Sequence, residues 1–219
     1  PPAMEKEMLR RVKRSHRYLD MLGPPNLLLE NRGDRFVVAA AAGGLAEWRN
    51  TYQSVWSDYD HDGDVDLYVC NDFAPDAMFR NEGRNAKGLV SFREVSGKVA
   101  GHAMQGFGMG ASWDDYDRDG NLDLFVSNMY SKAGKRITGQ IDGLDRRVPY
   151  AAQGSLMLRN KGGTFEQVAG VGPNDLHVAK VGWSFGGMFV DADNDGFPDI
   201  YSASGYYTAP QESRSNQDL

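Results

Sequence analysis

Three nine-residue segments of the chain share one acidic frame, D-x-D-x-D-G-x-x-D, at residues 58–66, 115–123 and 191–199. They read DYDHDGDVD, DYDRDGNLD and DADNDGFPD. Carboxylates this close repel one another unless a positive charge sits among them. Each frame runs into a short apolar, β-prone segment at 67–70, 124–127 and 200–203, and follows small and aromatic residues as at 110–113 and 186–189. The acidic loop therefore joins two strands.

A second element recurs, an apolar triplet leading into Asn-x-Gly and then an aromatic residue. It appears as Asn31, Gly33 and Phe36, as Asn81, Gly83 and Phe92, and as Asn160, Gly162 and Phe165. Asn-x-Gly suits a hairpin turn that needs positive φ. One full unit is thus strand, acidic loop, strand, connection, strand, Asn-Gly turn, strand. Four-stranded units repeating at this spacing are the sequence signature of propeller blades. The expected fold is all-β: a segment of a β-propeller with four-stranded antiparallel blades and calcium loops between first and second strands. Its expected division is a basic helical stretch at 1–25, the second half of a blade at 26–40 and a complete blade at 52–96. A second complete blade at 107–169, with an insert at 129–153, and the first half of a blade at 184–207 follow. Two blades and two halves do not close a ring, so further blades or other chains are expected to complete it.

The glycine lets each acidic loop curl, and side chains at positions one, three, five and nine then face one point, with the backbone carbonyl of position seven. That assigns Asp58, Asp60, Asp62 and Asp66 with the carbonyl of Asp64, then Asp115, Asp117, Asp119 and Asp123 with that of Asn121. In the third loop the set is Asp191, Asp193, Asp195 and Asp199 with the carbonyl of Phe197. Hard oxygen donors in this number suit calcium better than zinc or magnesium. An EF-hand needs Glu at position twelve, and here Val69, Val126 and Ser202 stand there. Two other readings of the aspartates are a solvated acidic loop and a pair of catalytic carboxylates. The latter needs two acids in different environments, not three equivalent clusters. Three divalent cations would carry as much positive charge as the formal net charge of −6 is negative.

With Phe107-Gly108 and Phe185-Gly186 nearby, the acidic loops resemble FG-GAP or VCBS repeats of integrin-alpha-type β-propellers. The N-x-G-x-x-F segments, the VAGVG stretch and residues 127–130 resemble, more narrowly, bacterial secreted proteins related to cartilage acidic protein. The resemblance spans residues 24 to 207, and residues 53–55 depart from it with Gln-Ser-Val in place of a glycine-rich stretch. It implies a calcium-stabilised extracytoplasmic module for protein or ligand binding, located outside the cell, in the periplasm or on the cell surface. Weak calcium loops that need abundant calcium point the same way.

Long inserts fall only in connections on the propeller face opposite the acidic loops. Met4, Met8, Val12, Leu19 and Leu22 recur at helical spacing beside Lys6, Arg10, Arg11, Lys13, Arg14 and Arg17, which predicts a basic amphipathic helix. The other insert carries Lys132, Lys135, Arg136, Arg146 and Arg147. Arg10, Arg11, Arg14, Arg17 and those five residues are candidate docking groups for a protein or anionic ligand. Nucleic acid has no motif in its favour, and no run of apolar residues is long enough to cross a membrane as a helix. The aromatic two residues before each loop, Trp56, Trp113 and Phe189, reads as packing between blades, as do Tyr59 and Tyr116. The single cysteine, Cys70, reads as a small buried hydrophobe. No nucleophilic triad, phosphate loop or zinc-protease signature is present, and a propeller enzyme acting on polysaccharide or another anionic substrate is the alternative function.

Overall fold

The computed structural model describes residues 22–39, 44–84, 90–101, 103–130, 151–170 and 173–205, with residues 6, 10, 86, 88 and 147. Twelve strands carry the described fold, and a four-residue helix runs over Ser96–Val99. β3 (Thr51–Ser57), β4 (Asp66–Asn71), β5 (Ala77–Arg84) and β6 (Val90–Glu94) form one antiparallel meander. β7 (Gly110–Asp114), β8 (Asp123–Ser127), β9 (Leu156–Asn160) and β10 (Phe165–Gln167) form a second with the same order. Two hairpins flank them, β1 (Leu29–Asn31) with β2 (Phe36–Val38) and β11 (Ser184–Val190) with β12 (Asp199–Ser204). The described sheets therefore make this an all-β architecture built of propeller-like, four-stranded antiparallel blades.

Packing between sheets explains the strand sequences. All six residues of β4 are buried, because alternate side chains enter different cores. Leu67 and Val69 join Ala77, Phe79, Phe92 and Leu45, with Leu28 from beside β1 packed on them. Tyr68, Cys70 and Met78 face the next blade, where they meet Ala111, Leu124, Val126 and Leu158. Phe125 and Met157 repeat the pattern one blade on, packing against Phe189 and Ile200. Cys70 is fully buried, as its reading as a small hydrophobe requires, and burial holds its thiol well above the ordinary range.

The repeated aromatics do not all reach the same environment. Tyr59 is 2% exposed and its ring lies 5.6 Å from that of Phe165 in the following blade. Trp113 packs beside the same ring, at 5.9 Å. Trp56 touches Phe92 of its own blade yet stays 44% exposed, since the sheet before it contributes only β1 and β2. A cleft of about 170 Å³ opens there between Leu27, Leu28, Trp56, Leu67 and Phe79.

Gln53, which breaks the glycine-rich pattern of the resembled family, has a structural use. Its Oε1 accepts the Ala111 backbone N–H at 2.7 Å, joining β3 to β7 across the blade boundary. Gly110 makes room for it, because a methyl group there would stand 2.8 Å from that oxygen.

Candidate metal centres

The three acidic loops have one backbone design. In each, both oxygens of the first aspartate accept backbone N–H groups from positions five and six: Asp58 from Asp62 and Gly63 at 3.1 and 3.0 Å, Asp115 from Asp119 and Gly120 at 3.0 and 2.9 Å. Asp191 takes those of Asp195 and Gly196 at 3.1 and 2.9 Å. The aspartate at position five accepts the N–H of position seven, at 3.0, 2.9 and 2.8 Å in turn. Two residues per loop are left-handed. Position six is glycine, at φ 91°, 91° and 84°, and position four is His61, Arg118 or Asn194, at φ 58°, 60° and 60°. Sequence reasoning credited the glycine alone. Asn194 and His61 are residue types that tolerate this conformation and gave the only available signal, whereas Arg118 gave none.

This curl gathers carboxylates. Asp58, Asp60 and Asp62 offer oxygens within 4.8 Å of one another, as do Asp115, Asp117 and Asp123, and Asp191, Asp193 and Asp195. Asp119 stands outside the second trio, and Asp66 and Asp199 stand outside the first and third. Asp60 Oδ1 and Asp117 Oδ1 are buried without a hydrogen-bond partner. Burial, then the neighbouring Asp62, holds the Asp60 carboxyl above the usual range. Asp117 is ion-paired with Arg159 through its other oxygen. Unpartnered buried carboxylate oxygens facing further carboxylates are donors short of a cation, so the residues fit a hard metal ion.

The ninth position does something the sequence did not reveal. Asp66 Oδ1 accepts the Asn81 N–H at 2.8 Å, and Asp123 Oδ1 accepts that of Asn160 at 2.7 Å. Asp123 Oδ2 also accepts the Tyr116 N–H at 3.2 Å. The asparagine side chains then close the Asn-Gly turns: Asn81 Oδ1 accepts from Gly83 at 2.9 Å and Asn160 Oδ1 from Gly163 at 2.8 Å. Acidic loop and Asn-Gly turn, two separate motifs on the page of sequence, are one hydrogen-bonded unit at the same end of the blade. Burial pushes the Asp66 and Asp123 carboxyls up to about 6. Asn160 extends the unit to the preceding blade by donating through Nδ2 to the Tyr59 carbonyl at 2.8 Å.

A second buried acidic group lies at the opposite end of β4. Asp76 is 1% exposed, accepts the Asn71 N–H at 2.7 Å and the Tyr68 hydroxyl at 2.8 Å, and its carboxyl is pushed up to about 7, chiefly by burial. Gly108 of the Phe-Gly pair lies against it, and a methyl group at that glycine would collide with the carboxylate. Because the folded value lies above the ordinary one near 3.9, the native state holds the proton longer than the unfolded chain does, and stability falls as pH rises from about 4 to about 7. In Asp76→Asn this contribution is absent. In urea titrations at fixed calcium, the wild type should lose stability relative to the variant by up to about 1.4 kcal/mol per pH unit across that window. Parallel pH profiles would show that burial does not raise the Asp76 carboxyl above its unfolded value.

Of the candidate docking groups, Lys6 and Arg10 are in helical conformation and exposed, and Arg147 lines a small cleft with Phe73, Pro75 and Phe107. Residues 11–21 of the predicted helical stretch, with Arg11, Arg14 and Arg17, lie outside the described residues, as do Lys132, Lys135, Arg136 and Arg146, whereas residues 22–25 at its end are described and are not helical. No helix among the described residues is long and apolar enough to cross a membrane.

No curated protein matches the chain. Residues 58–126 match the family model of an FG-GAP-like repeat. That span opens on the first acidic loop, takes in the second, and ends one residue before the close of β8. The part of the chain that carries two of the three acidic loops is thus similar to an FG-GAP-like repeat.

Proposed function

We propose that the chain is a calcium-binding β-propeller module that serves binding or scaffolding outside the cytoplasm. The observation that supports this most is the threefold recurrence of a carboxylate trio inside one hydrogen-bonded loop, with oxygens at Asp60 and Asp117 buried and unpartnered. Calcium takes six to eight oxygens in flexible geometry, which suits side chains from several positions plus a loop carbonyl; magnesium demands stricter octahedral geometry and keeps its water. Asp58, Asp60 and Asp62, then Asp115, Asp117 and Asp123, then Asp191, Asp193 and Asp195 would hold the ions, with Asp119 and the carbonyls of Asp64, Asn121 and Phe197 as further donors. The ion's role is to offset the repulsion of the cluster and so fix the loop that positions two strands. A module of this sort works where calcium is abundant, which supports a secreted, periplasmic or cell-surface setting.

The two hairpins leave apolar faces open: Leu29, Phe36 and Val38 on β1 and β2, and Phe185, Met188 and Tyr201 on β11 and β12 are all exposed. Exposed apolar residues in this density on paired strands favour further blades or other chains against them. Arg147, which lines a small cleft with Phe73 and Phe107, belongs to a basic insert that would take a protein or anionic partner. Equilibrium dialysis of the chelator-treated chain against calcium tests the reading. Three calcium ions per chain, with magnesium binding much more weakly, is the expected result; no binding at millimolar calcium would overturn it.

A further inference from the structure

The second and third acidic loops touch, through side chains at two of the variable positions of the common frame, four in one loop and seven in the other. At position four the loops carry His61, Arg118 and Asn194; at position seven they carry Asp64, Asn121 and Phe197. Arg118 is the long cation of the first set and Phe197 the aromatic of the second. The Arg118 guanidinium lies 4.1 Å from the centroid of the Phe197 ring and donates a hydrogen bond to the Gly196 carbonyl. Its own backbone is left-handed at φ 60°, and the next residue's N–H is held by Asp115 Oδ1 at 3.0 Å. One side chain therefore ties the curl of the second loop to the glycine turn of the third.

We infer that Arg118 is a positioning residue that couples cation binding in the loop at 115–123 to binding in the loop at 191–199; the inference rests on the cation reading above. The physical basis is shared ordering. A cation in the third loop fixes the 196–197 backbone, which fixes the guanidinium and with it the left-handed residue next to Asp117 and Asp119. The second loop then binds with part of its ordering already done, and by linkage the effect runs equally in reverse. A cation over an aromatic face is itself attractive, and its hydrogen bond to a carbonyl orients it. Asn at position four is the natural control, because Asn194 adopts the same left-handed backbone in the third loop. Arg118→Asn thus removes the guanidinium while keeping a side chain that the fold accepts at that position.

The test is hydrogen exchange of the full chain, read separately for peptides covering 58–66, 115–123 and 191–199 during a calcium titration. Asp193→Asn disables the third loop. In the wild-type background it should move the calcium midpoint of the second loop upward about fivefold or more, the lower range of measured couplings. In the Arg118→Asn background the same substitution should leave that midpoint unmoved. A second-loop midpoint that ignores Asp193→Asn in the wild-type background overturns the coupling while leaving the cation sites standing. A shift of equal size in both backgrounds overturns the role of Arg118. If no loop gains protection with calcium in the wild type, the cation reading fails, and the coupling fails with it.

Discussion

Calcium at a hundredfold excess over its dissociation constant should stabilise the chelator-treated protein by about 2.7 kcal/mol for each loop it fills, and by about 8 kcal/mol if three loops fill additively. The size follows from mass action alone: an ion that binds the native loops and not the unfolded chain draws the equilibrium toward the native state. The unfolded chain has the same aspartates, but its backbone does not converge them, so its affinity is far lower. Within the native loops the ion meets carboxylates already held by backbone N–H groups, as Asp58, Asp115 and Asp191 are. Magnesium at the same concentration should give a much smaller gain, because the loop oxygens do not replace its tightly held water. Urea titrations in calcium, magnesium and chelator measure the three cases directly. Equal midpoints in all three would leave the aspartates as solvated charges and end the metal reading.

The legible part of this protein was its repetition. Three acidic frames and three Asn-Gly turns give the strand order of the blades, because each is a local signal that depends on turn chemistry and alternating burial. What stayed hidden depends on contacts between segments far apart in the chain. Asp66 and Asp123 look like two more loop ligands, and only the pairing of β4 with β5 and of β8 with β9 brings Asn81 and Asn160 to them. Gln53 looks like a departure from pattern until Ala111 is seen beside it, 58 residues on. Trp56 and Trp113 occupy one register position, yet a full blade packs over the second and a hairpin beside the first, so a repeat-level reading assigns both a burial that only Trp113 approaches. Asp76 carried no signal at all. An aspartate in a strand connection is ordinarily in water, and its burial comes from the connection at 104–108 laid across it, where the Asp76 N–H donates to the Met104 carbonyl at 3.0 Å.

Asp123→Ala should cost about 3 to 5 kcal/mol in calcium, far more than Asp199→Ala at the equivalent position of the third loop. Asp123 is fully buried, and its removal strands two backbone donors, the N–H groups of Asn160 and Tyr116, where water does not replace it. Each buried donor left unpaired costs about 1 to 3 kcal/mol, and the second loop also loses one of its three converging carboxylates. Asp199 is exposed and its bond to the Ala192 N–H, at 3.2 Å, is readily exchanged for one to water. Repeating the comparison in chelator separates the two duties of Asp123. Its carboxyl, pushed up to about 6, is charged and unfavourably buried at pH 7 when no cation is near, so deleting it then relieves repulsion as well as breaking hydrogen bonds. The loss in chelator should be smaller than in calcium but still larger than that of Asp199→Ala. An equal loss at both positions in calcium would mean that the brace to the Asn-Gly turn contributes nothing. A loss confined to calcium would assign Asp123 to the ion alone.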